Sequence, residues 1–277
     1  MAVGTASLGD LWNSRELLRN LVAKELKVRY KGSALGFLWS LVTPLLITAV
    51  FTVVFATFIR VPLGDGNFAT FFLSGYLVWQ FFSNSVNSSV GAIVGNGALI
   101  RKVWFRREVL PVSLVLSQAV HFALALLATS PLFLWFRGFH PETIPALLGG
   151  FVLLVMFTTG MSMIFAAANV GFRDLQELTQ VIFLAWFYLT PVIYPPFLLD
   201  DPVAQRYLPV VLANPMTWFV ELFHAALYGT PVPSGVNPPP LWPDAQTWLV
   251  CAGWAVATLG IGYVLFNRLA VSFAKEV

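Results

Sequence analysis

The sequence predicts an all-α, polytopic membrane protein, and three observations support this fold class. Hydrophobic residues make up 58% of the 277 residues and charged residues only 10%, whereas about a quarter of a soluble domain is charged. The mean hydropathy is +0.77. The apolar runs are continuous and do not alternate with polar residues, which excludes the strands of a membrane barrel. We therefore expect a bundle of about six transmembrane helices.

The number of spans follows from the length of these runs, because roughly 20 apolar residues are needed to cross a bilayer. Five runs meet this length, and a sixth is shorter but extends into a helix-forming stretch. Residues 1–34 are expected to form a cytoplasmic amphipathic interfacial helix, and residues 35–277 a single transmembrane domain. The spans are expected near residues 35–59, 68–93, 110–136, 145–168, 174–193 and 247–269.

The distribution of basic residues sets the expected orientation. Thirteen of the sixteen lysines and arginines lie before the first span, after the second, after the fourth or at the C-terminal end. The other connections hold only Arg60, Arg137 and Arg206. Both termini are therefore expected in the cytoplasm.

The stretch before the last span does not fit a simple crossing. Its apolar run, residues 217–228, is too short to cross, and a crossing there would place Arg268 and Lys275 on the wrong side. We expect residues 197–228 to form one or two short helices that dip into the outer membrane surface. Three successive prolines, Pro238 to Pro240, predict a stiff extracytoplasmic connector after them.

Two cytoplasmic connections are candidates for contact with another protein. Residues 96–111 mix Trp104 and Phe105 with four basic residues, and exposed aromatics in a short connection need a cover. A helix that docks into the groove of a cytosolic subunit would cover them; aromatic side chains that rest in the lipid interface are the alternative. In residues 169–177, Asp174 and Glu177 suit the start of the next helix, which leaves Arg173 as a possible contact.

The second predicted span carries a polar patch and an aromatic triplet. Polar groups at bilayer depth face other helices or a water-filled path. Tyr76, Trp79 and Phe82 are spaced three apart, so we expect them to share a face; such rings stack on sugars but are also ordinary packing residues. The patch consists of Asn84, Ser85, Asn87, Ser88 and Ser89.

Several site types are missing from the sequence. No predicted span has a charged residue near its middle, which ion-coupled transporters usually need, and Gln118 and His121 are the only polar candidates for that role. There is no phosphate-binding G-x-x-x-x-G-K-[ST] motif and no hydrolase motif, and the single Cys251 excludes a cysteine-based metal site. The net charge of +3 is too small to imply nucleic acid. We therefore expect no catalytic residues, no metal site and no cofactor in this chain, and an energy source in another polypeptide.

Three segments, in this order, resemble the permease subunits of bacterial ATP-binding cassette exporters of surface polysaccharide, the family that serves O-antigen, capsule and wall teichoic acid. ELKVRYKGSALGFLWSLVTPLL, residues 25–46, resembles the junction of the interfacial helix and the first span. LIRKVWFRREVLP, residues 99–111, is similar to the family's cytoplasmic coupling segment. NPMTWFVELFHAALYG, residues 214–229, preceded by TPVIYP, resembles the re-entrant pair before the last span.

This resemblance implies a homodimer with a channel between the copies and two ATPase subunits beneath it, which hold ATP and Mg. Leu99 to Glu108 would form the main coupling helix, and Arg173, Asp174 and Glu177 a second contact. The full coupling set is Leu99, Ile100, Arg101, Lys102, Val103, Trp104, Phe105, Arg106, Arg107, Glu108, Arg173, Asp174 and Glu177. The substrate path would consist of Trp39, Tyr76, Trp79, Phe82, Asn84 and Asn87. A lipid-linked pyrophosphate headgroup would enter near Arg29 and Lys31, and the outer gate would contain Tyr194, Phe197, Trp218, Phe219 and Phe223.

The function expected from the resemblance is export of a lipid-linked polysaccharide across the cytoplasmic membrane of a bacterium. A drug or small-lipid exporter of the same architecture is the nearest alternative. A membrane-embedded lipid-modifying enzyme would need interfacial acids or metal ligands, and the sequence offers only scattered ones such as Asp200, Asp201 and Glu221. A passive channel is a third class.

Overall fold

The computed structural model describes residues 15–30, 38–102, 105–202 and 204–276, and within these ranges the chain is helical without β-strands. The predicted all-α class is confirmed. A π-helical turn occupies Val53–Phe58, and 3-10 turns occupy Pro141–Thr143, Pro196–Asp200 and Ala204–Tyr207. The helices are α1 (Arg15–Tyr30), α2 (Trp39–Thr52), α3 (Phe68–Val90), α4 (Ala92–Gly95), α5 (Gly97–Lys102), α6 (Val109–Arg137), α7 (Ile144–Gly171), α8 (Leu175–Leu189), α9 (Leu208–Ala213), α10 (Pro215–Leu227) and α11 (Ala245–Glu276).

Three stretches of the described chain are helical, long and apolar enough to cross a bilayer: Val109–Arg137, Pro141–Gly171 and Ala245–Ala270. A fourth candidate is the pair Ala204–Ala213 and Pro215–Leu227, whose axes are bent by 93°, as in a broken span or a re-entrant loop. The apolar helix at the first predicted span is shorter. Helices lie at all six predicted positions, and the count of six crossings stays a prediction.

Some helix boundaries differ from the predicted spans for local reasons. Helix α3 ends at Val90 and not at residue 93, because Gly91 interrupts it before α4. Helix α8 ends at Leu189 and not at residue 193, because Thr190 adopts an extended conformation before Pro191. Helix α11 continues to Glu276, beyond the predicted end at residue 269.

Side-chain caps fix the start of two helices that matter for the site. The Asn67 side chain accepts hydrogen bonds from the backbone N–H groups of Ala69, at 2.8 Å, and Thr70, at 3.3 Å, where α3 begins. The Asn214 side chain accepts from the Met216 N–H at 3.0 Å where α10 begins, and so sets the bend between α9 and α10. Asn214 also accepts from the Trp186 indole at 2.7 Å, which ties the bend to α8.

Helix α3 lies at the centre of the bundle and packs against α2, α6, α7, α8 and α10. Phenylalanine rings fill the space between these helices. Phe72, for example, stacks on Phe51 at 4.6 Å, and Phe82 stacks on Phe183 at 5.4 Å. Helices α7 and α11 approach each other most closely at Gly160 and Gly262.

An apolar cluster joins the helices at one end of the bundle, and contacts that involve loops join them at the other. At the basic end, Ile93, Ile100, Leu110, Val170 and Phe273 belong to one apolar cluster, so the segments after α3, before α6, at the end of α7 and at the end of α11 lie together. At the opposite end, which we call the connector end, Arg137 at the end of α6 and the loop before α3 contact residues 228–238.

Candidate functional site

A cleft of about 870 Å³ opens between α2, α3, α6 and α8. This volume is within the range of about 300–1,000 Å³ that is typical of ligand sites. The lining side chains are aromatic rings, amides, hydroxyls and aliphatic groups. The lining residues are Trp39, Thr43, Ile47, Phe51, Tyr76, Leu77, Trp79, Gln80, Phe81, Ser83, Asn84, Asn87, Gln118, His121, Phe122, Ala125, Gln180, Phe183, Leu184, Phe187 and Tyr188.

Helix α3 forms the longest wall of this cleft. Tyr76, Gln80, Asn84 and Asn87 follow one another at intervals of four, four and three residues, which is the helical repeat of a single face. With a rise of about 1.5 Å per residue, this row extends roughly 16 Å along the helix. The cleft is therefore long enough to hold an extended ligand along α3.

The amides of the cleft are most numerous toward its basic end, where Trp39 also lies. Asn87 lies toward the basic end of α3, and Gln118 and Gln180 lie near the basic ends of α6 and α8. Gln118 donates a hydrogen bond to Ser88 at 3.4 Å, so α3 and α6 meet at this depth. Phe51 and Tyr76 lie toward the connector end. A ligand that moves along the cleft from the basic end meets Trp39 and several amides before it reaches Phe51 and Tyr76.

The structure places five of the six predicted path residues on this cleft: Trp39, Tyr76, Trp79, Asn84 and Asn87. Trp79 is only 6% exposed, because Phe183, Trp186 and Phe187 pack around its ring. Most of the Trp79 side chain is thus part of the core.

Phe82 does not line the cleft, and the expectation that it shares a face with Tyr76 is wrong. Three residues of an α-helix turn about 300°, which is about 60° less than a full turn. Phe82 is two such steps from Tyr76, so the two side chains point in directions about 120° apart around the helix axis. Phe82 is fully buried and contacts Phe157 at 5.5 Å and Trp186 at 5.2 Å. Gln80 and Gln180 also line the cleft and were not predicted. Each is an amide within an otherwise apolar run, and that feature could have indicated them.

The predicted coupling segments lie together at the basic end. A Cβ atom on Gly91 would lie 3.3 Å from the Gln176 side chain, so the connection after α3 touches the start of α8. Arg173, Asp174 and Glu177 are exposed there. Asp174 occupies the N-cap position of α8, but its side chain makes no capping hydrogen bond.

The coupling segment itself is not one helix from Leu99 to Glu108. Helix α5 ends at Lys102, and the residues from Phe105 to Glu108 are a loop and turn. The backbone at Val103 and Trp104 and the side chains of Leu99, Arg101 and Lys102 lie outside the described part, whereas Ile100 is buried in the apolar cluster.

Ionic and polar contacts hold the end of this segment in place. Arg106 pairs with the buried Glu108 at 3.3 Å. Arg107 donates a hydrogen bond to the Ala270 carbonyl and lies 6.0 Å from the Phe273 ring centroid. The turn before α6 is therefore fastened to the last turns of α11.

The predicted outer-gate residues fall into two groups. Phe219 and Phe223 are fully buried and pack on Phe157, at 5.0 Å, and Phe122, at 5.7 Å, which is core packing. Phe197 and Trp218 line a second cavity of about 350 Å³ beside the bent helix pair.

The other predicted residues do not meet at one site. Tyr194 is half-buried against the main core. The Arg29 side chain and Lys31 lie outside the described residues, so the expected headgroup site there is not described.

A cluster at the connector end, which we call the connector latch, joins Arg137, Tyr228, Asn237 and Asp65. Arg137 donates to the Tyr228 carbonyl at 2.6 Å and to the Pro238 carbonyl, and its guanidinium lies 4.8 Å from the Tyr228 ring centroid. The Asn237 N–H donates to the Asp65 carboxylate at 2.7 Å. The latch ties the proline-rich connector to the loop before α3.

The helices that form the cleft lie within a segment that matches a known protein family. Residues 16–228 match the family described as ABC-2 type transporter. The chain belongs to the ABC-2 type transporter family. The match extends from α1 to the end of α10 and thus includes all four helices of the cleft.

Relatives of this ABC-2 chain resemble it over nearly its whole length. It is 31% identical over 271 residues to the O-antigen export system permease protein RfbA of Myxococcus xanthus, covering 97% of this chain and 98% of the relative. It is 33% identical over 271 residues to an O-antigen export system permease protein RfbA of Klebsiella pneumoniae, covering 94% of each chain. The polysialic acid transport protein KpsM of Escherichia coli is 24% identical over 222 residues, which is 78% of this chain and 83% of KpsM.

Proposed function

We propose that this chain is the membrane-spanning permease subunit of an ATP-driven exporter that moves a lipid-linked polysaccharide across the cytoplasmic membrane. The observation that carries the proposal is the cleft along α3, where amides and aromatic rings line a path of roughly 16 Å. Amides exchange hydrogen bonds with sugar hydroxyls, and indole and phenol rings offer flat surfaces for the CH faces of sugars. The O-antigen export permeases that resemble the chain support the same substrate class.

The proposed exporter contains two copies of this chain and two ATPase subunits that bind ATP and Mg. Both termini are cytoplasmic in this proposal, and the basic end faces the ATPases. Arg173, Asp174 and Glu177 are exposed, and their neighbour Gln176 lies against Gly91 at the end of α3. This proximity supports a partner surface that includes the connection between α3 and α6. The apolar faces of α2 and α8 next to the cleft, with Leu46, Val50 and Leu184 exposed, suit contact with lipid or with the second copy.

Export in living cells tests the path and the coupling surface together. The chain is produced with its ATPase partner in a bacterium that lacks its own O-antigen exporter, and surface glycan and ATPase activity are measured. Tyr76→Ala is expected to lower export at least tenfold without loss of the complex, because Tyr76 lies on the cleft and is less buried than Trp79. Arg106→Glu is expected to weaken the complex or to uncouple ATPase activity from export.

Matched controls separate these effects from general damage. Trp135→Ala removes an aromatic ring that is 84% exposed at the far end of α6, away from the cleft, and is expected to leave export unchanged. Arg206→Glu reverses an exposed charge outside the basic end and is expected to leave the complex intact. Normal export in both Tyr76→Ala and Trp79→Ala would refute the path, and a coupled complex with Arg106→Glu would refute the coupling surface.

A further inference from the structure

Side-chain amides are prominent among the hydrogen-bonding groups of the cleft walls. Amides project from three of the four helices: Gln80, Asn84 and Asn87 on α3, Gln118 on α6 and Gln180 on α8. Each primary amide offers two N–H donors and a carbonyl acceptor, whereas a hydroxyl group offers one donor and two acceptor lone pairs. Amides therefore complement the hydroxyl groups of a glycan in either direction.

Among the described residues, those that line the same walls carry no full charge. None of the described residues that line the cleft is an aspartate, glutamate, lysine or arginine, and the one histidine among them, His121, is buried. The sequence holds sixteen lysines and arginines, and those with described positions lie near the ends of the bundle or on α1. A second copy in the proposed dimer would add the same uncharged residues.

We propose that the cleft selects glycans whose repeat units are uncharged, and disfavours polymers that carry a carboxylate or phosphate in each repeat. This inference rests on the proposed function. An anionic group that enters the cleft loses part of its hydration and meets no counter-cation among the described lining residues. The amides replace only part of the lost hydration. Membrane paths for anions and phosphates carry rings of arginine or lysine for this reason. A pyrophosphate headgroup passes once per polymer, whereas a charged repeat meets the cleft at every step.

The test compares two glycans in cells that contain the chain and its ATPase partner. One strain makes a lipid-linked polymer of neutral hexoses, and the other makes a polymer of similar length with one hexuronic acid per repeat. The ratio of surface glycan to internal lipid-linked precursor measures export. We expect this ratio to be at least tenfold higher for the neutral polymer.

The outcomes distinguish this inference from the proposed function. Equal ratios, or a higher ratio for the acidic polymer, overturn the inference of neutral selection and leave polysaccharide export standing. Export of neither polymer by an assembled complex overturns both.

Variants locate the selection in the cleft. Asn84→Lys and Asn87→Lys each place a cation on the amide row, and we expect each to raise the acidic-to-neutral export ratio at least threefold. Gln246→Lys adds the same charge at an exposed position in the first turn of α11, away from the cleft, and is expected to leave the ratio unchanged. If the complex assembles and the ratio is unchanged in both cleft variants, the assignment of the selection to the cleft is overturned. The comparison of the two polymers uses the unmodified chain and does not depend on the folding of a variant.

Discussion

Helices α7 and α11 cross with backbone against backbone, and a single methyl group at the crossing is expected to separate the two helices. A Cβ atom on Gly160 would lie 2.3 Å from both the carbonyl carbon and the oxygen of Thr258. A Cβ atom on Gly262 would lie 2.3 Å from the Gly160 oxygen. Ordinary contacts between such atoms are about 3.5–4.0 Å long, so each methyl group lacks more than about 1 Å of space. The obstructing atoms are backbone atoms, which a side-chain rotation cannot move.

The cost of Gly160→Ala follows from two opposing effects. Overpacking of this kind typically costs about 1–3 kcal/mol, and the absence of a flexible neighbour favours the upper end of this range. The helix itself gains up to about 1 kcal/mol when alanine replaces glycine. We expect a net loss of about 2 kcal/mol of folding free energy. For a chain of this size, that loss lowers the melting temperature by roughly 4–8 °C.

Thermal unfolding in detergent, followed by the loss of the monodisperse protein, measures this change. Gly253→Ala and Gly260→Ala are matched controls on α11, because a Cβ atom at either position meets nothing within 4 Å. Both controls are expected to melt at or slightly above the unmodified temperature. The double variant of Gly160 and Gly262 is expected to lose less than the sum of the single losses, since the first methyl group already separates the helices. Equal melting temperatures for Gly160→Ala and Gly260→Ala would refute the close approach.

Two further substitutions test the connector latch and the bend between α9 and α10. Arg137→Ala removes charge-assisted hydrogen bonds, each worth about 1.5–3 kcal/mol, and is expected to speed hydrogen exchange in residues 229–243; unchanged exchange there would contradict the latch. Asn214→Ala removes a helix cap and the acceptor for the Trp186 indole. This change is expected to cost about 2 kcal/mol in thermal unfolding. Asn214→Asp keeps the acceptor and loses the donations to Thr190 and to the Leu189 carbonyl, so it should fall between Asn214→Ala and the unmodified chain.

The sequence was sufficient to predict the helices, because each long apolar run has one stable way to satisfy its backbone in lipid. The sequence predicted one or two short helices before the last span from a short apolar run, but it did not predict the sharp bend at Asn214. The π-helical turn after α2 was not predicted. The split of the coupling segment between α5 and the turn at Arg107 was likewise missed, because contacts with Ala270 and Phe273 on a distant helix fix that turn.

The candidate site was predictable only in part, for a geometric reason. The family resemblance placed Tyr76 and Asn84 in one path, and both residues line the cleft. Spacing along α3 assigned Phe82 to the face of Tyr76, although helical rotation turns Phe82 into the core. The contributions of α6 and α8, such as Gln118 and Gln180, depend on which helices are neighbours. Spacing within a single sequence does not contain that information.

The second half of α3 is rich in polar residues although the helix lies at the centre of the bundle, and their side chains are accommodated in two ways. Ser85 and Ser89 donate hydrogen bonds to the backbone carbonyls of Phe81, at 2.6 Å, and Ser85, at 2.7 Å, so these buried hydroxyls are satisfied within the helix. Asn84 and Asn87 are instead half-exposed on the cleft. The helix spans 23 residues, or roughly 35 Å, yet it is not among the helices apolar enough to qualify as a span by composition. The three amides of this helix, Gln80, Asn84 and Asn87, all lie on the face that lines the cleft, as the proposed substrate path requires.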